Sequence, residues 1–223
     1  MPVTIEAISK LRYFAGIERK QLELITQFFS QKFFIKGQPI LVEGDRDETL
    51  HFVNAGVVKV YKTSPEGKEQ IIKIVRPGES FNEVTVFSNG PCPYSAEALS
   101  NLTDLCLIHK INLMPLIEKN SRIARNALEI MAEQERFMLT LVEDLSFKNV
   151  VGRVAKILLQ NMEPRPEGLP KLTQYEMAAM AGTVREVVSR SLKSLEDLGV
   201  IRLEKHRIII VDKGRLNQLA GMN

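Results

Sequence analysis

The segment Thr183-Val-Arg-Glu-Val-Val-Ser-Arg-Ser-Leu-Lys-Ser-Leu195 constrains this chain more than any other stretch. Turned as a helix at about 100° per residue with Arg185 at zero, Ser189 falls at about 40°, Lys193 at about 80°, Glu186 at about 100° and Arg190 at about 140°. Those five side chains make one polar face. Val184, Val187, Val188, Ser191, Leu192 and Leu195 occupy roughly 200° to 340°, so the opposite face has to pack against something. The spacing predicts a helix fixed from behind and open in front.

Upstream, Leu172 to Gly182 carries Thr173 and Glu176 at capping-box spacing, small residues that permit close helix contact, and a glycine suited to a turn. Downstream, Leu198 to Val211 reads as two short strands around a polar turn at Glu204 to His206. Helix, turn, helix and wing in this order predict a winged helix-turn-helix, whose second helix enters the major groove of double-stranded DNA by its N-terminal residues. Arg donates two hydrogen bonds to guanine O6 and N7, and Glu accepts from the cytosine amino group, so Arg185, Glu186 and Arg190 have the chemistry to read base edges. Ser189 suits a base or a phosphate, Lys193 suits a phosphate, and Thr173 belongs to the same DNA-binding set. The residues also fit plainer roles. Thr183 with Glu186 has capping-box spacing, and Glu186 with Arg190 makes an ordinary i,i+4 ion pair on a solvated face.

With these motifs the chain resembles the transcription regulators typified by the cyclic AMP receptor protein and the fumarate-nitrate reduction regulator, the Crp/Fnr family. Arg185, Glu186 and Arg190 match the Arg-Glu-x-x-x-Arg pattern of the first, and Glu186, Ser189 and Arg190 match the Glu-x-x-Ser-Arg pattern of the second. The resemblance implies a homodimer on an inverted repeat with a TGTGA-like or TTGAT-like half-site, with RNA polymerase as a further partner.

Charge placement agrees with a polyanion-facing C-terminal part. From Phe147 onward 13 Lys and Arg stand against 8 Asp and Glu, a net +5, whereas the preceding residues hold 17 against 19 and net −2. With 44% hydrophobic and 26% charged residues the balance is that of a globular protein with real cores, long enough at 223 residues for two modest domains. No apolar run approaches membrane-spanning length, and the start Met-Pro-Val-Thr-Ile-Glu lacks a secretory pattern, which predicts a cytoplasmic protein with no membrane partner.

Ahead of the DNA-binding part, residues 3 to 30 carry two amphipathic patterns, Ile5, Ile8, Leu11 and then Leu22, Leu24, Ile25, Phe28, Phe29, which read as short covering helices. From Gln31 to Ile111 short β-rich runs are punctuated by glycines. Leu50 to Tyr61 and Glu69 to Val75 read as strands, with Ser64-Pro-Glu-Gly67 as a turn. Strands at this spacing predict a small barrel or jelly roll, and the spacing of Gly37, Gly44, Gly56 and Gly78 is similar to the cyclic-nucleotide-binding β-roll. Residues 111 to 147 read as one long helix. Ala124, Leu128, Met131, Glu135, Met138, Val142 and Leu145 alternate steps of four and three, a seam for a parallel homodimer, with Leu128, Met131, Met138, Val142 and Leu145 as its interface. Ile123, Ile130, Phe137 and Leu141 form a second stripe suited to covering the roll, and a single wide stripe in a monomer core fits the same residues. Asp144 to Asn149 reads as a hinge, Val150 to Met162 as a helix, Glu163 to Pro170 as a proline-rich connector and Lys213 to Ala220 as a closing helix.

The fold class expected is therefore α+β. Residues 1–112 form an effector-type β-roll domain, 113–147 a long dimerisation helix and hinge, and 148–223 a winged helix-turn-helix DNA-binding domain.

The β-roll resemblance places an effector pocket at Glu83, Tyr94, Ser95 and Ala96, with Met138 and Leu139 at the positions that face the base. Its family pattern has an Arg for the cyclic phosphate where this chain has Tyr94, a Gly where it has Asn82, and two hydroxyl residues where it has Met138 and Leu139. A phenol does not neutralise a buried phosphate. Glu83 then either caps the segment to Phe87 or touches a sugar. Cyclic AMP is disfavoured, and the small-molecule effector is left unassigned.

No cofactor and no metal is implied. The Cys and His of heme-binding relatives fall on Asn82 and Val84, and cysteines Cys92 and Cys106 are too few for a cluster. His51, His109 and His206 are widely separated. No nucleophile–base pair or phosphate-cradling glycine loop marks an enzyme. A heme- or thiol-based sensor on the same fold, with Cys92 as its thiol, and a non-DNA regulatory β-roll protein remain alternative readings.

Overall fold

The computed structural model describes residues 3–162, 172–205 and 207–222. The chain divides into two compact units, Met1–Lys62 with Lys73–Phe137, and Thr63–Ile72 with Met138–Asn223. In order, α1 (Ile5–Ser9), a 3₁₀ turn (Arg12–Phe14) and α2 (Arg19–Thr26) lead into β1 (Phe29–Ile35), β2 (Pro39–Leu41), β3 (Thr49–Ala55), β4 (Val58–Thr63), β5 (Glu69–Val75) and β6 (Ser80–Phe81). There follow α3 (Glu83–Ser88), β7 (Ser95–Ala98), β8 (Leu102–His109), α4 (Lys110–Lys119) and α5 (Ser121–Phe147). One sheet has the order β1-β8-β3-β6 and the other β2-β7-β4-β5. β1 and β3 run antiparallel to β8, and β2 and β4 to β7. This is the expected jelly roll.

Strand β8 shows why the roll needs helices behind it. Successive side chains of a strand point to opposite faces. Leu105 and Leu107 enter the core between the sheets with Leu41, Val53, Val58, Val60 and Val75. Cys106 and Ile108 enter a second core on the outer face, where Ile8, Leu11, Tyr13, Phe14, Leu22 and Ile25 pack with Ile123 and Ile130. Phe52 of β3 sits in the second core with ring centroids of Tyr13, Phe14 and Phe29 at 5.4, 6.1 and 5.9 Å. Each such ring contributes about 1.5–3 kcal/mol by burial.

Several sequence-derived boundaries shift. Phe29, read as the end of an amphipathic helix, opens β1, and the run Leu50 to Tyr61 is two strands separated at Gly56. Gly56 has φ +83°, and a Cβ there would lie 2.7 Å from the Leu102 carbonyl oxygen, so only glycine fits. The long helix is interrupted at Asn120, whose φ of −132° and ψ of 101° are extended. The Asn120 side chain explains the break: its Oδ1 accepts from Arg122 N at 3.0 Å and Ile123 N at 3.4 Å, starting α5 afresh. In the second stripe Ile123 and Ile130 are buried together with Ala127, while Phe137 is exposed. The non-helical break after α5 is confined to residues 148–149, since Asp144, read as the start of a hinge, lies inside α5, paired with Lys148 at 2.9 Å and with Lys156.

The second unit holds α6 (Val150–Met162), α7 (Gln174–Ala181), α8 (Arg185–Asp197), β9 (Ile201–Glu204), β10 (Arg207–Ile210) and α9 (Lys213–Leu219). Val154, Ala155 and Leu158 of α6, Met177 and Ala178 of α7, Val188, Leu192 and Leu195 of α8, and Leu216 of α9 share its core. The connector Glu163 to Pro170 and His206 of the wing turn lie outside the described residues. No helix among the described residues is long and apolar enough to cross a membrane.

Candidate nucleic-acid interface and effector corner

Helix α7 begins with the anticipated capping box. Thr173 Oγ1 accepts from Glu176 N at 3.1 Å, and Glu176 Oε2 accepts from Thr173 N at 2.5 Å. The helix ends at Gly182 in the left-handed region, φ +64°. A Cβ at that turn would stand 2.9 Å from Leu145 Cδ2, so the position excludes side chains twice over. Thr173 is exposed, its hydroxyl engaged in the cap.

Helix α8 begins one step later than the sequence suggests. Its N-cap is Val184, which offers no side-chain acceptor, so the Thr183–Glu186 capping box does not form, and Val184 is exposed instead of packed. No ion pair joins Glu186 to Arg190 among the described residues. Behind, Val188, Ser191, Leu192 and Leu195 are buried, and the Ser191 hydroxyl donates to the Val187 carbonyl at 2.8 Å. In front, Arg185, Glu186, Ser189, Arg190 and Lys193 are all exposed. Lys193 differs from the other four, with its ammonium 3.0 Å from Glu196 Oε2 and 3.2 Å from Asp197 Oδ1. Hydrogen bonds that Lys193 donates to Glu196 and then Asp197 hold its pKa above the ordinary value. The spacing Lys193, Glu196, Asp197 was legible as i,i+3 and i,i+4 pairs. What the sequence did not reveal is that Glu196 Oε1 also accepts the Leu203 N–H of the wing at 2.9 Å.

Of the expected effector residues, Glu83 and Tyr94 lie at the N-terminus of α3. Asn82 holds φ +78°, a left-handed conformation that a side chain other than Gly adopts only with support. The support is visible: Asn82 Nδ2 donates to the carbonyls of Asp47 at 2.6 Å and Thr49 at 2.9 Å. Asn82 N donates to the Tyr94 hydroxyl at 2.9 Å. Glu83 is buried in the first turn of α3 and accepts from the Ser80 hydroxyl, so it has a partner in the chain. Ser95 Oγ accepts from Glu43 N at 3.1 Å, and Ala96 is buried in the core of the roll. Burial, and then Glu83 nearby, push the Tyr94 phenol well above its ordinary pKa, so it stays neutral. His51, stacked on Phe81 with ring centroids at 4.9 Å, has its pKa lowered to about 4 by burial. Cys92 is buried, donates to the Tyr94 carbonyl at 3.1 Å, and is pushed above the usual thiol range by burial. Such a thiol makes a poor nucleophile and a poor sensor. Cys106 is buried in the outer core. Among the described residues no His, Cys, Asp and Glu side chains are grouped to hold a metal ion.

On α5, Met138 and Leu139 are both exposed. So are the other residues of the expected interface, Leu128 at 68%, Met131, Val142 at 62% and Leu145.

Comparison with known proteins agrees with both regions. The cyclic nucleotide-binding domain family matches residues 31–120, and the Crp-like helix-turn-helix domain family matches residues 152–219. The chain is 30% identical over 207 residues to the cyclic AMP receptor protein of Thermus thermophilus, covering 93% of this chain and 95% of that protein. This chain belongs to the Crp/Fnr family. A CRP-like cAMP-activated global transcriptional regulator of Mycobacterium tuberculosis is 29% identical over 222 residues, covering 96% of this chain and 99% of the relative. Among solved structures, FixK2 from Bradyrhizobium japonicum superposes with a TM-score of 0.74 at 25% identity, covering 86% of this chain and 96% of that one. The protein is thus a DNA-binding transcription regulator of the Crp/Fnr family, and it is not an enzyme.

Proposed function

We propose that the protein acts as a homodimer that recognises an inverted repeat through α8 and that cyclic AMP does not switch it. The observation that carries the DNA reading is the row Arg185, Glu186, Ser189 and Arg190, exposed at the N-terminal end of a helix whose rear is buried. Arg185 and Arg190 are matched to guanine, Glu186 to cytosine, and Ser189 to a base or phosphate. The exposed apolar stripe Leu128, Met131, Met138, Val142 and Leu145 supports a second copy of α5 as the surface that covers it. Two α8 helices related by a two-fold axis would meet successive major grooves, roughly 34 to 36 Å apart. RNA polymerase is the further partner this reading carries, in a cytoplasmic setting.

The names of the two relatives speak of cyclic AMP for those proteins. In this chain the Tyr94 hydroxyl takes up the Asn82 N–H at the start of α3, where the family pattern supplies an Arg for the phosphate. Met138 and Leu139 offer apolar side chains where the pattern has hydroxyls. A charge-assisted hydrogen bond to the ligand is worth about 1.5–3 kcal/mol, and a ligand shifts a conformational equilibrium only by its differential affinity. Without the Arg, a cyclic nucleotide has little with which to drive a switch.

Selection from random DNA tests the dimer and its site. An inverted repeat with a TGTGA-like or TTGAT-like half-site is expected. A single non-palindromic site would contradict the two-fold reading.

A further inference from the structure

The C-terminal turn of α8 holds a cluster of charge that base reading does not use. Glu196 faces two ways, with Oε1 accepting the Leu203 N–H of β9 at 2.9 Å and Oε2 lying 3.0 Å from the Lys193 ammonium. Asp197 Oδ1 lies 3.2 Å from the same ammonium. A two-stranded sheet such as β9–β10 leaves each strand one unpaired edge. The Leu203 bond spends a donor of that sheet on the helix that bears the readers. The wing so attached carries Arg202, Lys205 and Arg207, all exposed.

We propose that Glu196 is a positioning residue for DNA binding. It fixes the wing to the end of α8 and, with Asp197, keeps Lys193 paired within the protein, so that Lys193 makes no phosphate contact of its own. A lysine that reaches a phosphate releases condensed counterions, and the logarithm of the binding constant then falls with the logarithm of salt concentration by about 0.9 for each phosphate neutralised. A lysine that arrives already paired with two carboxylates releases none. Two carboxylates beside the DNA backbone also oppose its negative charge. The cluster therefore limits sequence-independent affinity while the front of α8 reads bases, which widens the gap between specific and non-specific binding.

The test uses the full chain and sheared mixed-sequence duplex DNA, titrated across a salt series. In Glu196→Gln with Asp197→Asn, the side-chain amide oxygen at position 196 still accepts from Leu203, but Lys193 is released. The salt slope is expected to steepen by about 0.9 for each α8 on the DNA, which is roughly a 3.5-fold steeper loss of affinity over a fourfold rise in salt. Adding Lys193→Ala to that variant should return the slope to its starting value, whereas Lys193→Ala alone should leave it unchanged. Hydrogen exchange at the Leu203 amide reads the other half of the role. It should quicken in Glu196→Ala and stay slow in Glu196→Gln. An unchanged slope in the double variant overturns the proposal, as does a slope about 0.9 flatter in Lys193→Ala alone, or Leu203 exchange that does not respond to Glu196→Ala.

Discussion

The side chains of Arg185, Glu186, Ser189 and Arg190 stand exposed on α8 with no hydrogen-bond or ion-pair partner among the described residues, whereas those of Ser80, Asn82, Glu83, Tyr94 and Ser95 are tied to one another or to the backbone. Both regions use the same vocabulary of carboxylate, hydroxyl and amide. The difference lies in burial. A polar group inside a protein has to be satisfied, and once satisfied by the chain it has little left for a ligand. A polar group on the surface costs nothing while it waits for a base edge. The contrast is therefore between polar side chains left free on the front of α8 and polar side chains already engaged by the chain at the start of α3.

The contrast breaks most visibly at Asn82. Asn82→Ala should destabilise the protein by about 2–4 kcal/mol, because it removes two side-chain bonds, leaves the Asp47 and Thr49 carbonyls unsatisfied and puts Ala in the left-handed region. Denaturant unfolding measures this, and DNA contacts on α8 should be untouched in the folded protein. A loss below about 0.5 kcal/mol would mean that the corner is not held by these bonds.

Acid is the next probe. The folded-state pKa of His51 lies near 4, below the ordinary 6.5, because burial disfavours its charged form. The unfolded chain therefore binds a proton first. Stability is full above about pH 6.5 and falls as pH drops towards about 4, by roughly 3 kcal/mol in all, after which the folded state is protonated too. His51→Gln should remove that component of the pH dependence.

On the other side of the comparison, Arg190→Ala or Glu186→Ala should cost about 1–3 kcal/mol on the preferred site and relax base choice at one position, with stability changed by less than about 0.5 kcal/mol. Binding titrations over a set of single-base variants of the site separate readers from caps. Unchanged base preference in Glu186→Ala would return Glu186 to an ordinary solvated helix face.

The parts of this architecture governed by local periodicity were legible in the sequence. The two faces of α8, the Thr173–Glu176 box and the Gly182 turn each depend on residues within a few positions, and the structure shows all three. Parts governed by distant or competing partners were not. The break at Asn120 comes from a side chain that caps forward into α5, and an apolar stripe running through both helices conceals it. The Thr183–Glu186 box had the right spacing, but the chain starts the helix one residue later. In the corner, substitution of Tyr94 and Asn82 was readable as a departure from the family pattern. Their bond to each other across twelve positions was not, and neither was the Glu196 bond to Leu203, because both depend on how strands and helices meet.

The most direct test is DNA titration of the protein alone and with cyclic AMP or cyclic GMP, run beside calorimetry of each nucleotide. The expected result is binding to the inverted repeat with no nucleotide present and the same affinity when either is added. Micromolar nucleotide binding accompanied by a tenfold gain in DNA affinity would contradict it.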